Sequence, residues 1–227
     1  MSKNTNTATH ALRERRLSSD RLAPYVFACG DDQAHALRLY EWNIELSGAL
    51  YEALAVVEVV VRNVIHDELT AWHTSRGLPG TWLDDPQRQL GEPARRDLAK
   101  AKERAQQWRT VRGVREATRP DPPPGAIIAE LSFGFWSFLL AAQYEHTLWT
   151  PSIRHGFPGT NKRELVQRPL RRLHQIRNRI AHLEPVHARN HEADERDMHT
   201  VLHLACPETA NWARSMRRIA EIASKRP

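Results

Sequence analysis

The sequence predicts an all-α, single-domain bundle with inserted Pro/Gly-rich loops, and three observations lead there. After Asp32, the residues Leu46, Leu50, Leu54, Val57, Val61 and Ile65 recur at helical spacing along one uninterrupted stretch. Near the other end of the chain, Leu173, Ile176, Ile180 and Leu183 fall on one apolar stripe at about 100° per residue. No segment carries a convincing period-two strand pattern, and the prolines and glycines fall between runs dominated by Leu, Ala, Arg and Glu. A chain of 227 residues can bury one sizeable core. The expected division is a polar arm over 1–18 and one helical domain over 19–227.

Ser19 and Asp20 can cap a short helix through Phe27, and Gly30 offers its stop. Asp32 then caps a long helix to about Trp72, which Ala55, Val56, Val59, Val60 and Val64 make apolar almost all round. Such a helix belongs at the centre of a fold. Glu58, Arg62 and Asn63 interrupt it with polar groups that either pair on the surface or serve a buried network. His66 is read as a helix-surface residue. The stretch Gly77 to Pro86 breaks the helix, with Trp82 available to fold back on the core.

Pro93 opens a charged helix to about Arg109 that should face solvent. The run Arg119 to Gly125 is a proline loop leading into a helix with Phe133, Phe135, Trp136 and Phe138. These aromatics could stack on bases, but without interleaved basic residues they read better as core. Trp149 to Asn161 forms a further loop, Asn161 can cap the next helix, and Pro169 marks a bend or restart. Helices over Ala193 to Ala205 and Glu208 to Ile222 close the chain.

The helix from Asn161 to about His182 carries the most chemistry. Arg177 sits at the shoulder of its apolar stripe, His174 and Asn178 lie further round, and His182 faces nearly away from the core. Asn178 and His182 are i,i+4 neighbours whose side chains can converge. Glu184, before Pro185, is driven out of helical geometry, so the helix should end near His182. Arg offers a fixed fork of donors to a phosphate, and His can move a proton near neutral pH.

The segment Arg177-Asn178-Arg179-Ile180-Ala181-His182, followed by Glu184-Pro185, resembles the Arg-Asn-x-x-x-His signature of HEPN domains, in a setting similar to their Abi-like (abortive infection) branch. Leu54 to His66, with its Val-Glu-Val-Val-Val-Arg-Asn core, and Leu131-Ser132-Phe133-Gly134-Phe135-Trp136 match the same family in order, so the resemblance spans roughly Leu22 to Ile222. It departs at Leu183, where a second histidine often follows the first. The resemblance implies an endoribonuclease without a metal or other cofactor, with Arg177, Asn178 and His182 catalytic and Glu58, Arg62, Asn63 and His174 supporting them. It further implies a homodimer with both signature helices lining one cleft, a role as a toxin-like effector in phage defence, and an antitoxin protein as a possible partner.

Charge agrees with RNA as a ligand. The net charge is +6, and residues 162–189 hold eight basic against two acidic residues. Arg171, Arg172 and Arg179 in that stretch are candidate RNA contacts. A solvated helix face has the same composition. His187/His191 and His199/His203 also have i,i+4 spacing, yet no cysteine or His-Glu-x-x-His accompanies them, so no metal site is assigned. There is no phosphate-cradling glycine loop and no Gly-x-Ser-x-Gly elbow. Cys29 and Cys206 have no redox spacing, no signal peptide or membrane span is expected, and a cytoplasmic location follows. Two alternatives to the nuclease remain open: a non-catalytic module that binds RNA or a nucleotide, and a scaffold whose exposed helix docks a protein.

Overall fold

The computed structural model describes residues 16–85, 87–111 and 121–227, the side chains of 108–111 excepted. Most of the expected polar arm, and the Arg119-Pro120 start of the proline loop, lie outside the described residues. Among the described residues there are helices and turns and no strand. The first element, α1 (Ser19–Ala28), starts one residue earlier than expected, because the Ser18 hydroxyl accepts from the Arg21 N–H. Gly30 stops it at φ +59°, in the left-handed region.

Helix α2 (Gln33–Ser75) is the axis of the fold. Asp32 caps it by accepting from the His35 N–H at 2.9 Å. The expected stripe from Leu46 to Ile65 is almost wholly excluded from solvent. Packed along it are α1, the short turns Trp82–Asp84 and Ile153–Gly156, and the later helices Phe133–Phe138, Arg163–Ala181, His191–Ala205 and Ile219–Ala223. The opposite face of α2 remains open: Ile44 and Tyr51 are more than half exposed, so the helix is central but not enclosed.

Trp82 does fold back into the core, in a short 3-10 turn over Trp82–Asp84. Its indole N–H donates to His66 Nδ1 at 3.0 Å, which corrects the reading of His66 as a surface residue. Helix α3 (Glu92–Val111) is also not purely solvent-facing. Ala94, Leu98, Ala101 and Ala105 form a narrow stripe of mostly small residues that packs inward, beneath a charged outer face.

The apolar run expected as one core helix is two: α4 (Pro124–Ala129) and α5 (Phe133–Phe138). Ser132 takes the N-cap of α5, accepting from the Phe135 N–H, so a hydroxyl restarts the helix inside a hydrophobic run. Phe133, Phe135 and Trp136 are buried, as core aromatics should be. A 3-10 turn, a wider π-type turn and another 3-10 turn then lead to α6 (Arg163–Ala181). Pro169 is accommodated inside α6 without a restart, and Asn161 does not cap it; Lys162 occupies the N-cap and donates its N–H to Thr160 Oγ1.

After α6 come α7 (His191–Ala205), α8 (Pro207–Ser215) and α9 (Ile219–Ala223). The single closing helix expected over Glu208 to Ile222 is therefore broken after Ser215. Trp42 Nε1 donates to the Ile222 carbonyl at 2.7 Å and Arg218 forks onto Glu52, which ties the end of the chain back to α2.

The end of α6 is a Schellman turn with His182 as C-cap. The Glu184 N–H donates to the Arg179 carbonyl at 2.7 Å and the Leu183 N–H to the Ile180 carbonyl at 2.9 Å. This requires φ +57° at Leu183, a position that usually takes glycine. Leu183 therefore leaves the apolar stripe on which the helical net placed it and points to solvent at 70% exposure. Leu183→Gly should raise the unfolding free energy by about 1 kcal/mol, since the left-handed penalty on a Cβ is removed at little loss of packing. Urea unfolding of the two proteins measures this difference.

Candidate functional site

Two long helices make the site. Along α6, Leu173 and Ile176 are fully buried against the core, which turns Arg177, Asn178 and His174 toward its half-buried flank and leaves His182 exposed at the end. Arg177 meets α2 there. Its Nε lies 3.7 Å from Glu58 Oε2, within ion-pair range but beyond a hydrogen bond. That Nε is buried and has no hydrogen-bond partner. Glu58 thus places the guanidinium electrostatically while leaving its donors for another acceptor.

Glu58 is the one expected supporting residue of α2 that reaches α6 through an ion pair. Arg62 Nε instead donates to Asn63 Oδ1 at 3.2 Å, and Asn63 is exposed. His174 is held on three sides. Its ring stands edge-on to Phe133, its Nε2 accepts from Asn178 Nδ2 at 3.0 Å, and Gly134 lies beneath it. A Cβ at Gly134 would come within 2.9 Å of His174 Nε2, so only glycine leaves the imidazole its place. Burial, with the nearby Arg177 charge second, holds His174 below the usual histidine range.

Asn178 therefore engages His174, one turn back, rather than the His182 side chain one turn on. Its link to His182 is through the backbone, where the His182 N–H donates to the Asn178 carbonyl at 2.9 Å. The arginines proposed as RNA contacts divide as well. Arg172 forms a two-point pair with Asp197 of α7, both bonds 2.6 Å, and Arg179 donates to the Pro185 carbonyl and pairs with Glu184. Arg171 is exposed, and among the described residues it makes no ion pair.

Three residues to which the sequence reading gave no role position the site. Arg21 of α1 donates to the Leu183 carbonyl at 2.5 Å. Asn43 of α2 is buried and accepts from the Val186 N–H at 2.8 Å, which fixes the chain just after the turn. Gly134 is the third. Asn43 could have been found, since it is a polar residue standing between Leu39 and Leu46 on the buried stripe; Arg21 carries no such signal.

His187 and His191 lie past the turn, against Tyr25 and Trp42 respectively. His187 Nδ1 and both nitrogens of His191 are buried without a hydrogen-bond partner. Among the described residues no three His, Cys, Asp or Glu side chains gather as a metal site would require.

These features define an all-α protein whose two longest apolar stripes meet at a cationic helix end carrying Arg177 and His182. Residues 19–188 match the Abi-like protein family, and the chain belongs to that family. No curated protein and no solved structure matches it. Among the described residues no helix is long and apolar enough to cross a membrane.

Burial depresses the proton affinity of His66, His174, His187, His191 and His199 alike. Each is bound by fewer protons when folded than when unfolded, so stability is full above the ordinary histidine range and falls as pH drops through it. Urea midpoints should decrease steadily from pH 7 to pH 5. His191→Gln should flatten that slope.

Proposed function

We propose that this chain is a metal-independent endoribonuclease of the HEPN type, acting in the cytoplasm as a toxin-like effector of abortive infection. The observation that carries this reading is Arg177: a guanidinium placed by a carboxylate at 3.7 Å, with a buried donor left unsatisfied, beside an exposed histidine at the same helix end. Membership of the Abi-like family supports the biological role.

In the proposed reaction a base takes the proton of the ribose 2′-hydroxyl, and O2′ attacks the adjacent phosphorus. The bond to the 5′-oxygen breaks, and that oxygen leaves with a proton from an acid. The products are a 2′,3′-cyclic phosphate and a 5′-hydroxyl. His182 is one of the two proton-transfer groups. Arg177 donates to the non-bridging oxygens, where charge builds in the transition state. Asn178 and His174 form the wall behind Arg177, and Arg171 gives the RNA backbone an exposed cation.

An in-line cleavage wants two proton-transfer groups, and the His174 Nε2 is already occupied by Asn178. We infer that a second copy supplies the other, in a symmetric homodimer whose two α6 ends share one cleft. A neighbouring antitoxin protein would restrain the nuclease by covering that cleft. The alternative of a non-catalytic RNA-binding module gains little from the charge count. Five of the eight basic residues in 162–189 (Arg163, Arg172, Arg177, Arg179 and Arg189) are in ion pairs with the protein's own carboxylates.

Wild-type protein incubated in EDTA with a labelled structured RNA should yield 2′,3′-cyclic phosphate and 5′-hydroxyl ends. His182→Ala and Arg177→Ala should each lower the rate by about 100-fold or more while retaining most RNA binding. Bound but intact RNA with the wild-type protein would contradict the nuclease reading.

A further inference from the structure

A second cluster of histidine and arginine side chains lies on the far side of α7, beyond the family-matched segment. A groove of about 570 Å³ opens between α7, α8 and the start of α9, lined by Arg196, His199, Thr200, Arg214 and Arg217, with Glu192 and Glu195 along one rim. The volume is that of a site for a small molecule. Its walls are fixed, because α9 is tied to α2 by the Trp42 and Arg218 bonds.

Three arginines, Arg196, Arg214 and Arg217, share the groove with two glutamates, which leaves one positive charge in excess. His199 stacks on His203 with ring centres 5.5 Å apart and planes 14° from parallel. Burial, with the neighbouring Arg214, His203 and Arg217 after it, holds His199 below the usual histidine range. Of the two carboxylates, Glu192 lies 3.8 Å from Arg196, while Glu195 faces Arg217 from the same helix. Arg214 is exposed, and among the described residues it makes no ion pair.

Arg217 is the most informative member. Its Nη1 donates to the Glu195 carbonyl at 3.3 Å, yet its Nε is buried without a hydrogen-bond partner. A guanidinium removed from water is costly unless an acceptor satisfies it. A tetrahedral phosphate offers several oxygens at once, to the forks of Arg214 and Arg217 and to the His199 ring. The remaining space would take a nucleoside.

We propose that the α7–α9 groove is a binding site for a phosphate group, carried by a nucleotide monoester or as free phosphate, separate from the Arg177/His182 site. The anion relieves the repulsion among Arg214, Arg217 and the stacked imidazoles, so its binding and the protonation of His199 favour one another. Two sources share this chemistry: a free nucleotide and inorganic phosphate.

The test uses the full-length His182→Ala protein, titrated with adenosine 5′-monophosphate, inorganic phosphate and, as the uncharged control, adenosine. The imidazole resonances of His199 and His203 are followed over a pH series at each ligand concentration. The monophosphate should shift both resonances saturably and move the His199 midpoint upward. Arg214→Gln, which removes an exposed side chain and no internal pair, should weaken binding by roughly tenfold, as loss of one charge-assisted hydrogen bond does. Tighter binding of the nucleotide than of phosphate identifies the nucleotide as the ligand, and equal binding identifies phosphate alone; either supports the site. Unshifted resonances with both anions, an equal response to adenosine, or wild-type affinity in Arg214→Gln would overturn it. The outcome is independent of RNA cleavage, so failure here leaves the nuclease reading standing.

Discussion

Along α2 a row of leucines and valines from Leu46 to Ile65 has to be covered over its whole length. The chain answers by laying several short elements and one long helix, α6, against the same stripe. Leu170, Leu173 and Ile176 complete that contact with essentially no exposure. The rotation of α6 about its own axis is then fixed by hydrophobic burial, and with it the direction of every polar residue that α6 carries. Arg177 falls beside Glu58 of α2 because Ile176 is buried next to it. The site is a by-product of how two apolar stripes fit together.

Charge is distributed by the same logic. The basic excess of residues 162–189 is largely consumed inside the protein, by Glu145, Asp197, Glu58, Glu184 and Asp194. Arg163 illustrates the point: it is buried, donates to the Leu140 carbonyl and pairs with two glutamates, so it holds the start of α6 in place. What remains for a ligand is selective. Arg177 keeps an unsatisfied donor despite its carboxylate neighbour, and Lys162, Arg168 and Arg171 stay exposed.

The features that depend on local periodicity were legible in the sequence. The α2 stripe, its Asp32 cap, the buried Phe133 and Trp136, and the end of α6 at His182 all follow from residues within a few turns of one another. Long-range pairings were not. Arg172 with Asp197, Val186 with Asn43 and Arg21 with Leu183 join segments whose proximity only the folded chain decides. Asn178 shows a subtler limit, because a helical net places His174 and His182 at equal distance on either side of it. Phe133 and the bare face of Gly134 hold His174 in reach, while the Schellman turn carries His182 outward. The break before α5 was hidden for a similar reason: hydrophobicity continues through it, and a single serine hydroxyl restarts the helix.

In the proposed nuclease Glu58 would act on RNA only through Arg177, and a double-mutant cycle on single-turnover cleavage measures that coupling. Glu58→Gln alone should slow cleavage by about tenfold, and it should cost nothing further in an Arg177→Ala background, because coupled residues do not contribute additively. Equal losses in both backgrounds would mean that Glu58 and Arg177 act independently, and that the ion pair between α2 and α6 does not position the site.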